Sequence, residues 1–267
     1  MLIPHSKPLI EGRLLARYDR FIVSVKVGRR EIEAHCVNTG RMEGLVKPGC
    51  RAWISSVPSD SKRKLRYTLE LLEIDGIVIG ANTILPNYLA ESVVRAGLVP
   101  GLKRYRELQR EVRYGERSRI DLLLQQGGQQ HFVEVKNCHL VYPDQNAYFP
   151  DSISTRAAGH LDELVKCISA GDKASVLFVV QRRDGRKVRP SALHDPDFAQ
   201  AAYRAHALGV KFRAVQFDPS PDHGFTFLGM LPVDLTPYDT AAITPYREAL
   251  ATTSGWIRRG KTRQKGV

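Results

Sequence analysis

Residues Arg119 to Asn137 read Arg-Ile-Asp-Leu-Leu-Leu-Gln-Gln-Gly-Gly-Gln-Gln-His-Phe-Val-Glu-Val-Lys-Asn. Two apolar runs joined by a polar segment with two glycines predict a β-hairpin. Side chains alternate between the two faces of a strand, so Glu134 and Lys136 share one face, and Asp121 on the neighbouring strand can lie beside them. Two carboxylates around one point repel each other, which favours a bound divalent cation. A lysine beside them can orient a water or stabilise charge on a phosphate.

An Asp followed about a dozen residues later by Glu-x-Lys is the active-site pattern of metal-dependent nucleases of the PD-(D/E)xK type, although so short a pattern also occurs by chance. The alternative is a solvent-exposed strand edge, with Asp121 in water and Glu134 and Lys136 forming an ion pair on a wet face. The surrounding sequence favours the metal site. Both acids lie within apolar runs, where unpaired charge is costly.

The chain of 267 residues is long enough for one or two domains with a sizeable core. Its formal net charge of +12 indicates a polyanionic partner, and nucleic acid is favoured over a membrane because no basic amphipathic helix stands out. The charge is uneven: residues 1–82 carry +5, residues 83–240 carry +2 and residues 241–267 carry +5. The excess therefore lies at the two ends, outside the predicted metal site.

We expect a cytoplasmic protein that does not enter the membrane. The apolar runs are shorter than a membrane span, and the first residues lack the pattern of a signal peptide. The four cysteines are scattered without Cys-x-x-Cys spacing, which favours free thiols in a reducing compartment over a zinc site.

Residues 11–82 contain five runs of strand-like sequence separated by turns, beginning with one long run at 12–27. This predicts a small closed β-barrel such as an OB-fold. The fold class predicted for the whole chain is α/β (α+β) in two domains. We place an OB-fold-like DNA-binding domain at 1–84, a PD-(D/E)xK nuclease-like domain at 85–238, and a basic, disordered tail at 239–267.

Helices and strands alternate between residues 88 and 217, which predicts an α/β sheet covered on both sides. Residues 105–113 are interpreted as a helix because Glu107 and Glu111 have i,i+4 spacing. On a second helix, at 153–170, Arg156 and His160 share one face. The expected segments are helices at 88–96, 105–113, 153–170 and 197–208, and strands at 119–124, 132–137, 174–181 and 210–217.

Basic residues of the N-terminal domain are the candidates for phosphate contact. They are Arg13, Arg17, Arg20, Arg41, Lys62, Arg63, Lys64 and Arg66. Tyr18, Phe21, Trp53 and Tyr67 are interleaved with them and suit base stacking, although they could equally form the barrel core.

Several motifs occur in an order that resembles the sugar fermentation stimulation protein (SfsA) family. They are Gly12-Arg-Leu-Leu-Ala-Arg-Tyr-Asp-Arg-Phe21, His35-Cys-Val-Asn-Thr-Gly-Arg-Met42, Glu111-Val-Arg-Tyr-Gly-Glu-Arg-Ser-Arg-Ile-Asp121, Val133-Glu-Val-Lys-Asn137, Phe149-Pro-Asp-Ser152, Arg156 with His160-Leu, and Asp195-Pro-Asp-Phe198. The resemblance covers about residues 1 to 235. It implies an OB-fold followed by a nuclease-like domain, and DNA binding without sequence specificity.

On the matching positions, the resemblance implies Asp121 and Glu134 as metal ligands and Lys136 as the catalytic lysine. It implies Glu111 as an additional helix carboxylate, and Arg156 and His160 as accessory groups facing phosphate. Mg²⁺ or Mn²⁺ suits such an oxygen-rich site better than zinc. The expected activity is metal-dependent phosphodiester hydrolysis. The alternative is a regulatory DNA-binding protein, linked to sugar metabolism, whose nuclease fold is silent. The oligomeric state is left open, a dimer included.

Overall fold

A computed structural model describes residues 1–58, 60–103, 105–115 and 118–259. Three β-sheets and a few helices make up this part of the chain. The strands are β1 (Leu2–Ile3), β2 (Leu9–Tyr18), β3 (Ile22–Val27), β4 (Arg30–His35), β5 (Arg51–Ser56), β6 (Tyr67–Ile74), β7 (Ile77–Gly80), β8 (Glu107–Tyr114), β9 (Ser118–Gln126), β10 (Gln129–Cys138), β11 (Leu140–Val141), β12 (Asn146–Phe149), β13 (Lys173–Val180), β14 (Lys187–Pro190), β15 (Lys211–Ser220) and β16 (Gly224–Leu231). The α-helices are α1 (Leu85–Arg95), α2 (Thr155–Ser169), α3 (Pro196–Ala207) and α4 (Thr244–Ala249), and two 3₁₀ helices span Thr240–Ala242 and Ala251–Thr253.

The N-terminal sheet has the strand order β4-β3-β2-β5-β6-β7 and closes on itself through a parallel pairing of β4 with β6. Apolar side chains that alternate along these strands, such as Leu14, Val25 and Ile54, fill its interior. The single long strand expected at 12–27 is instead β2 and β3. Asp19 and Arg20 turn the chain between them with φ of 44° and 70°, so Arg20 lies in a turn and not on a strand.

The C-terminal sheet has the order β1-β16-β15-β13-β10-β9-β8, with β10, β13 and β15 parallel in the centre. Helices α2 and α3 cover one face, and α1 with part of the N-terminal sheet covers the other. The prediction that 174–181 is a strand buried on both faces is confirmed: β13 is buried from Ala174 to Val180. Covered on both faces, this sheet can hold charged groups away from water.

The helix predicted at 105–113 was wrong, because this segment contains strand β8. β8 pairs with β9 in antiparallel register, with Leu108 opposite Leu124 and Val112 opposite Ile120. The i,i+4 spacing of Glu107 and Glu111 therefore has no structural meaning here. Tertiary pairing with a neighbouring apolar strand outweighs local helical preference.

The two domains share buried polar contacts. Glu43 of the N-terminal domain accepts a hydrogen bond from the Tyr142 hydroxyl (2.6 Å) and lies 2.9 Å from His194 Nε2. Asp151 Oδ2 accepts a hydrogen bond from the backbone N–H of Met42 (3.0 Å). Trp53 and Leu71 also join the apolar core that contains α1. The domains therefore form one packed body.

The prediction of a disordered tail at 239–267 was wrong for residues 239–259, a segment that contains α4, the two 3₁₀ helices and a bridge at Ile257. Ile243 is buried with Tyr142 and Tyr148, and Ile257 bridges to Tyr18 at the end of β2. This order was not visible in the sequence, because the few apolar residues of the segment pack against distant parts of the chain and show neither helical nor strand periodicity. Residues 260–267 lie outside the described part of the structure. In the described residues, no helix has the length and apolar character needed to cross a membrane.

Candidate active site

A cleft of about 750 Å³ lies where the C-terminal sheet, α2 and two segments from the domain boundary meet. All six of the sequence-predicted catalytic and accessory residues line it. They are Glu111, Asp121, Glu134, Lys136, Arg156 and His160. Thr39, Thr83 and Asn87 come from the N-terminal domain and the start of α1. The cleft therefore brings together side chains from a hairpin, a helix and the domain boundary.

Strand β10 places Glu134 and Lys136 on the face covered by α2, while Val133 and Val135 pack on the opposite face. Lys136 Nζ donates to Glu134 Oε1 at 2.7 Å, and His160 Nδ1 also donates to Glu134 Oε1. Burial acts to raise the pKa of Glu134, but the charges and hydrogen bonds of Lys136 and His160 bring this pKa below its usual value. Glu134 therefore holds a buried negative charge.

The second oxygen of Glu134, Oε2, is buried and has no hydrogen-bond partner among the described residues. A buried carboxylate oxygen without a partner is costly, because it has lost water and gained nothing in return. This oxygen belongs to a residue that lines the cleft. A hard cation or a water bound there would satisfy it.

Asp121 is held by two hydrogen bonds, one to each of its carboxylate oxygens. The backbone N–H of Val135 donates to Oδ2 and Asn87 Nδ2 donates to Oδ1, both at 2.7 Å. The β9–β10 pairing ends at Val133 and Leu122, so the Asp121 carboxylate replaces a strand partner for Val135. Burial, followed by the negative charge of Glu134, raises the pKa of Asp121 to about 6. Asp121 and Glu134 are thus close enough to repel each other.

Glu111 reaches the cleft from strand β8, not from a helix. Its backbone lies in the left-handed region, with φ of 53°. Ile120 and Val112 pack on the α2 side of the sheet, whereas Leu122 packs on the α1 side. Ile120 and Leu122 are two residues apart and would lie on the same face of a regular strand. Their packing on opposite faces shows that the alternation of β9 is interrupted at Asp121, beside Glu111 of β8. Irregular positions of this kind are common beside active sites.

Asn87 is a site residue that the sequence did not reveal. It donates to Asp121 Oδ1 and lies 3.4 Å from Glu111 Oε1. It stands in the first turn of α1, after Pro86, where an Asn predicts only a helix start. In the described residues, no group of three His, Cys, Asp or Glu side chains is arranged to hold a metal ion. The carboxylates share the cleft but do not form a closed ligand set.

Arg156 and His160 share one face of α2, as predicted. Arg156 Nε donates to His160 Nε2 at 3.3 Å, so Nε2 accepts and Nδ1 carries the proton that is donated to Glu134. Arg156 is exposed, whereas His160 is half-buried. His160 therefore fixes one carboxylate oxygen, and Arg156 presents a positive charge at the open side of the cleft.

The expectation that Arg17 contacts DNA is contradicted, because its side chain is only 1 % exposed. Its guanidinium donates to backbone carbonyls of Asn38 (2.7 Å), Arg20 (2.9 Å) and Gly40 (3.0 Å). Five donors in a planar fork suit this role. Arg17 therefore holds a turn and a loop together and is unavailable to a partner.

The other basic candidates of the N-terminal domain differ in exposure. Those that are exposed are Arg13, Arg20, Arg41, Lys62, Arg63 and Lys64. Arg66 is half-buried and donates to the carbonyls of Ser61 and Pro58, so it shapes the loop before β6. Among the four interleaved aromatics, Trp53 is core at 3 % exposed, whereas Phe21 is 42 % exposed. Trp53 therefore belongs to the apolar core shared with α1 and not to the barrel core, while base stacking by the exposed Phe21 stays a prediction.

Two family models match the chain. One is described as "SfsA N-terminal OB domain" and matches residues 15–81; the other is described as "Sugar fermentation stimulation protein RE domain" and matches residues 84–223. Proteins named "Sugar fermentation stimulation protein homolog" are similar to this chain. That of Brucella anthropi is 44 % identical over 211 residues, which cover 78 % of this chain and 90 % of the relative. That of Maricaulis maris is 45 % identical over 215 residues, which cover 80 % and 91 %.

A solved structure is also similar, namely that of Pyrococcus furiosus SfsA, which is described as a complex with Ca²⁺. It has a TM-score of 0.80 and 30 % sequence identity, covering 87 % of this chain and 98 % of the other. The predicted two-domain fold, an OB domain followed by a mixed α/β domain, is thereby confirmed. The motif-based resemblance is confirmed as well: the chain belongs to the sugar fermentation stimulation protein (SfsA) family.

Proposed function

We propose that this protein binds DNA without sequence specificity and hydrolyses phosphodiester bonds with the help of Mg²⁺ or Mn²⁺. The observation that carries the proposal is the unsatisfied, buried Oε2 of Glu134, a residue of the same cleft as Asp121, Glu111 and Lys136. The charged oxygens in this cleft match the ligand preference of hard divalent cations. The Ca²⁺ of the Pyrococcus furiosus relative is in keeping with this chemistry.

Asp121 and Glu134 would hold the ion, and Glu111 would contribute from β8. Such an ion lowers the pKa of a bound water and neutralises charge on a phosphate. Lys136 places an ammonium group beside Glu134, where it can orient a water and stabilise charge on the scissile phosphate. His160 keeps Glu134 in position, and the exposed Arg156 supplies a cation for the DNA backbone.

The alternative is a regulatory DNA-binding protein whose nuclease fold is silent. Two observations favour it: Lys136 and His160 both donate to Oε1 of Glu134, and no three-residue metal cluster is present in the described residues. Under this alternative, the two cations compensate the buried charge of Glu134 in place of a metal ion. The two functions differ in a single measurable property, which is turnover.

The test is incubation of purified full-length protein with single-stranded, duplex and branched DNA, in Mg²⁺, in Mn²⁺ or in EDTA. We expect cleavage that requires the metal and is lost in Asp121→Asn and Glu134→Gln. Asp222→Asn, which changes an exposed acid outside the cleft, is the matched control and should cleave normally. Binding without cleavage of any of the three DNA types in either metal would exclude the nuclease function for these substrates. The regulatory alternative would then stand.

A further inference from the structure

Exposed rings and cations form a continuous line across the N-terminal domain. Trp256 lies under the guanidinium of Arg20 (5.7 Å to the ring centroid), and Arg20 also lies over Phe21 (5.6 Å). The Phe21 and His35 ring centroids are 6.5 Å apart, and His35 Nδ1 is 2.9 Å from Arg63 Nη2. We name these five residues the aromatic strip.

Two of the three rings of the aromatic strip are open to solvent, whereas His35 is half-buried. Trp256 is 38 % exposed and Phe21 is 42 % exposed, which is unusual for large apolar side chains at neighbouring positions. Arg20 and Arg63 are exposed between and beside them. Exposed rings that alternate with arginines match the surface with which proteins bind single-stranded nucleic acid, where bases stack on rings and cations contact phosphates.

Trp256 is held in this position by backbone hydrogen bonds on both sides. Gly255 N donates to Arg41 O (2.7 Å), and Ile257 N donates to Arg17 O (2.9 Å). Arg259 continues the attachment through an ion pair with Glu33. The segment lies beyond residues 15–81 and 84–223 that the family models match. A segment outside the matched ranges therefore places a fixed tryptophan on the surface of the OB domain.

The aromatic strip leads to the candidate active site. Arg20 Nε donates to Thr39 O (2.7 Å), and Thr39 lines the catalytic cleft. At the other end, His35 and Arg63 line a separate cavity of about 630 Å³. Residues 82–88 lie between the two spaces, since Thr83 and Asn87 line the cleft whereas Tyr88 lines the cavity. A strand lying on the strip would thus run beside the cleft.

We infer that the aromatic strip binds single-stranded DNA and that the substrate of the neighbouring cleft is DNA with an unpaired segment. This inference deepens the proposed function and rests on it. In duplex DNA the bases stack on each other and are closed to protein rings, so the exposed side chains of Phe21 and Trp256 have no base to stack on there. Phosphate charge complements Arg20 and Arg63, and the bases complement Phe21 and Trp256.

The first experiment uses the intrinsic fluorescence of the full-length protein in EDTA, so that no cleavage occurs. The chain has two tryptophans, and Trp53 is only 3 % exposed, so Trp256 reports on the strip. We expect an oligothymidylate of about 16 nucleotides, the upper site size of an OB-fold, to quench this emission. The quenching should be absent in Trp256→Phe and with duplex DNA of the same length.

The second experiment measures affinity by fluorescence polarisation under the same conditions. Phe21→Ala and Trp256→Ala should each weaken binding of the single strand about fivefold to a hundredfold, the range set by loss of one stacked base. Duplex affinity should change less than about twofold, since duplex binding depends on phosphate contacts. Phe21→Tyr keeps an aromatic ring at this position and should therefore bind single strands as the wild type does. Leu228→Ala, an exposed apolar side chain on β16, is the control and should bind as the wild type does.

The outcomes separate this inference from the proposed function. If the wild type binds DNA but Phe21→Ala and Trp256→Ala bind single strands normally, the aromatic strip is not a binding surface and the inference fails alone. An equal loss of affinity for single-stranded and duplex DNA in these two variants would also overturn the inference. If the wild type binds neither form at low salt, the DNA-binding function fails together with the inference. Thermal unfolding of each variant shows that a loss of affinity does not come from a loss of folding.

Discussion

Lys136 and Glu134, two residues apart on β10, form a buried ion pair with 2.7 Å between Nζ and Oε1, and their side chains are only 11 % and 4 % exposed. Because a charged pair so far from water is costly to maintain, its presence in a cleft points to a chemical role. The same carboxylate keeps its other oxygen unsatisfied. The pair therefore leaves one carboxylate oxygen without a partner and places an ammonium group beside it.

Lys136→Ala should remove catalysis while leaving DNA binding intact. If the site hydrolyses phosphodiesters, loss of the ammonium group should lower turnover by a factor of about a hundred or more, the scale of one lost transition-state donor. The exposed basic residues that we propose to contact the DNA backbone, Arg156 among them, are unchanged in this variant, so affinity should change little. Single-turnover cleavage and polarisation in parallel check this. A Lys136→Ala protein that cleaves at the wild-type rate would remove Lys136 from the mechanism.

Asp121→Asn should abolish Mn²⁺ binding without unfolding the protein. The neutral amide can keep the hydrogen bond from Val135 N but supplies no charge to a cation, and it ends the repulsion from Glu134 that raises the pKa of Asp121. Calorimetric titration with Mn²⁺ measures the binding. Asp222→Asn should bind Mn²⁺ as the wild type does, and Mn²⁺ binding that survives Asp121→Asn would place the ion elsewhere.

Replacing Lys62, Arg63 and Lys64 together by Ala should weaken DNA binding about equally on all sequences. These three side chains are exposed in the loop between β5 and β6. Each lost phosphate contact should reduce the slope of log K against log salt by about 0.7 to 0.9. Arg66 is left unchanged because it holds the loop through backbone carbonyls. An unchanged slope would show that this loop does not touch DNA.

Arg17→Met should destabilise the fold by about 2–5 kcal/mol, since it leaves buried carbonyls without donors. The affected carbonyls belong to Asn38, Arg20 and Gly40. Urea unfolding measures the loss. At a temperature where the variant remains folded, its salt slope for DNA should equal that of the wild type. A folded Arg17→Met with normal stability would contradict the structural role.

Asp151→Asn should destabilise the protein at pH 7 but hardly at all near pH 2. Burial acts to raise the pKa of Asp151, but His139 and the backbone N–H of Met42 outweigh it and hold the pKa at about 2, below the ordinary value of 3.8. The charged form thus adds stability that is complete above about pH 4 and is lost as the pH falls through about 2. The difference corresponds to about 2 kcal/mol at most.

Urea unfolding of the wild type and Asp151→Asn at several pH values measures this dependence. Asp144→Asn, in the same connection of the chain but bonded to Asn146 and Tyr148, separates a local effect from the domain contact. A stability difference for Asp151→Asn that stays constant from pH 7 to pH 3 would leave the carboxylate charge without a role at this boundary.

The sequence by itself determined the local elements whose signal lies in their own residues. The apolar run at 174–181 predicted a buried strand because a short, nearly continuous apolar run is typical of a parallel strand that is covered on both faces. Alternation in the hairpin put Glu134 and Lys136 on one face, and four-residue spacing did the same for Arg156 and His160. These relations depend on backbone geometry alone.

Only the tertiary structure decided the features that depend on distant partners. Residues 107–114 form a strand because β9 offers an apolar neighbour, and this pairing overrides their helical spacing. Asn87 reaches Asp121 because α1 packs across the sheet, and Arg17 is buried because loops from three parts of the chain end on its guanidinium. Trp256 joins Arg20 and Phe21 although some 235 residues separate them. Side-chain periodicity reports what one segment buries; it carries no information about which segment will cover it.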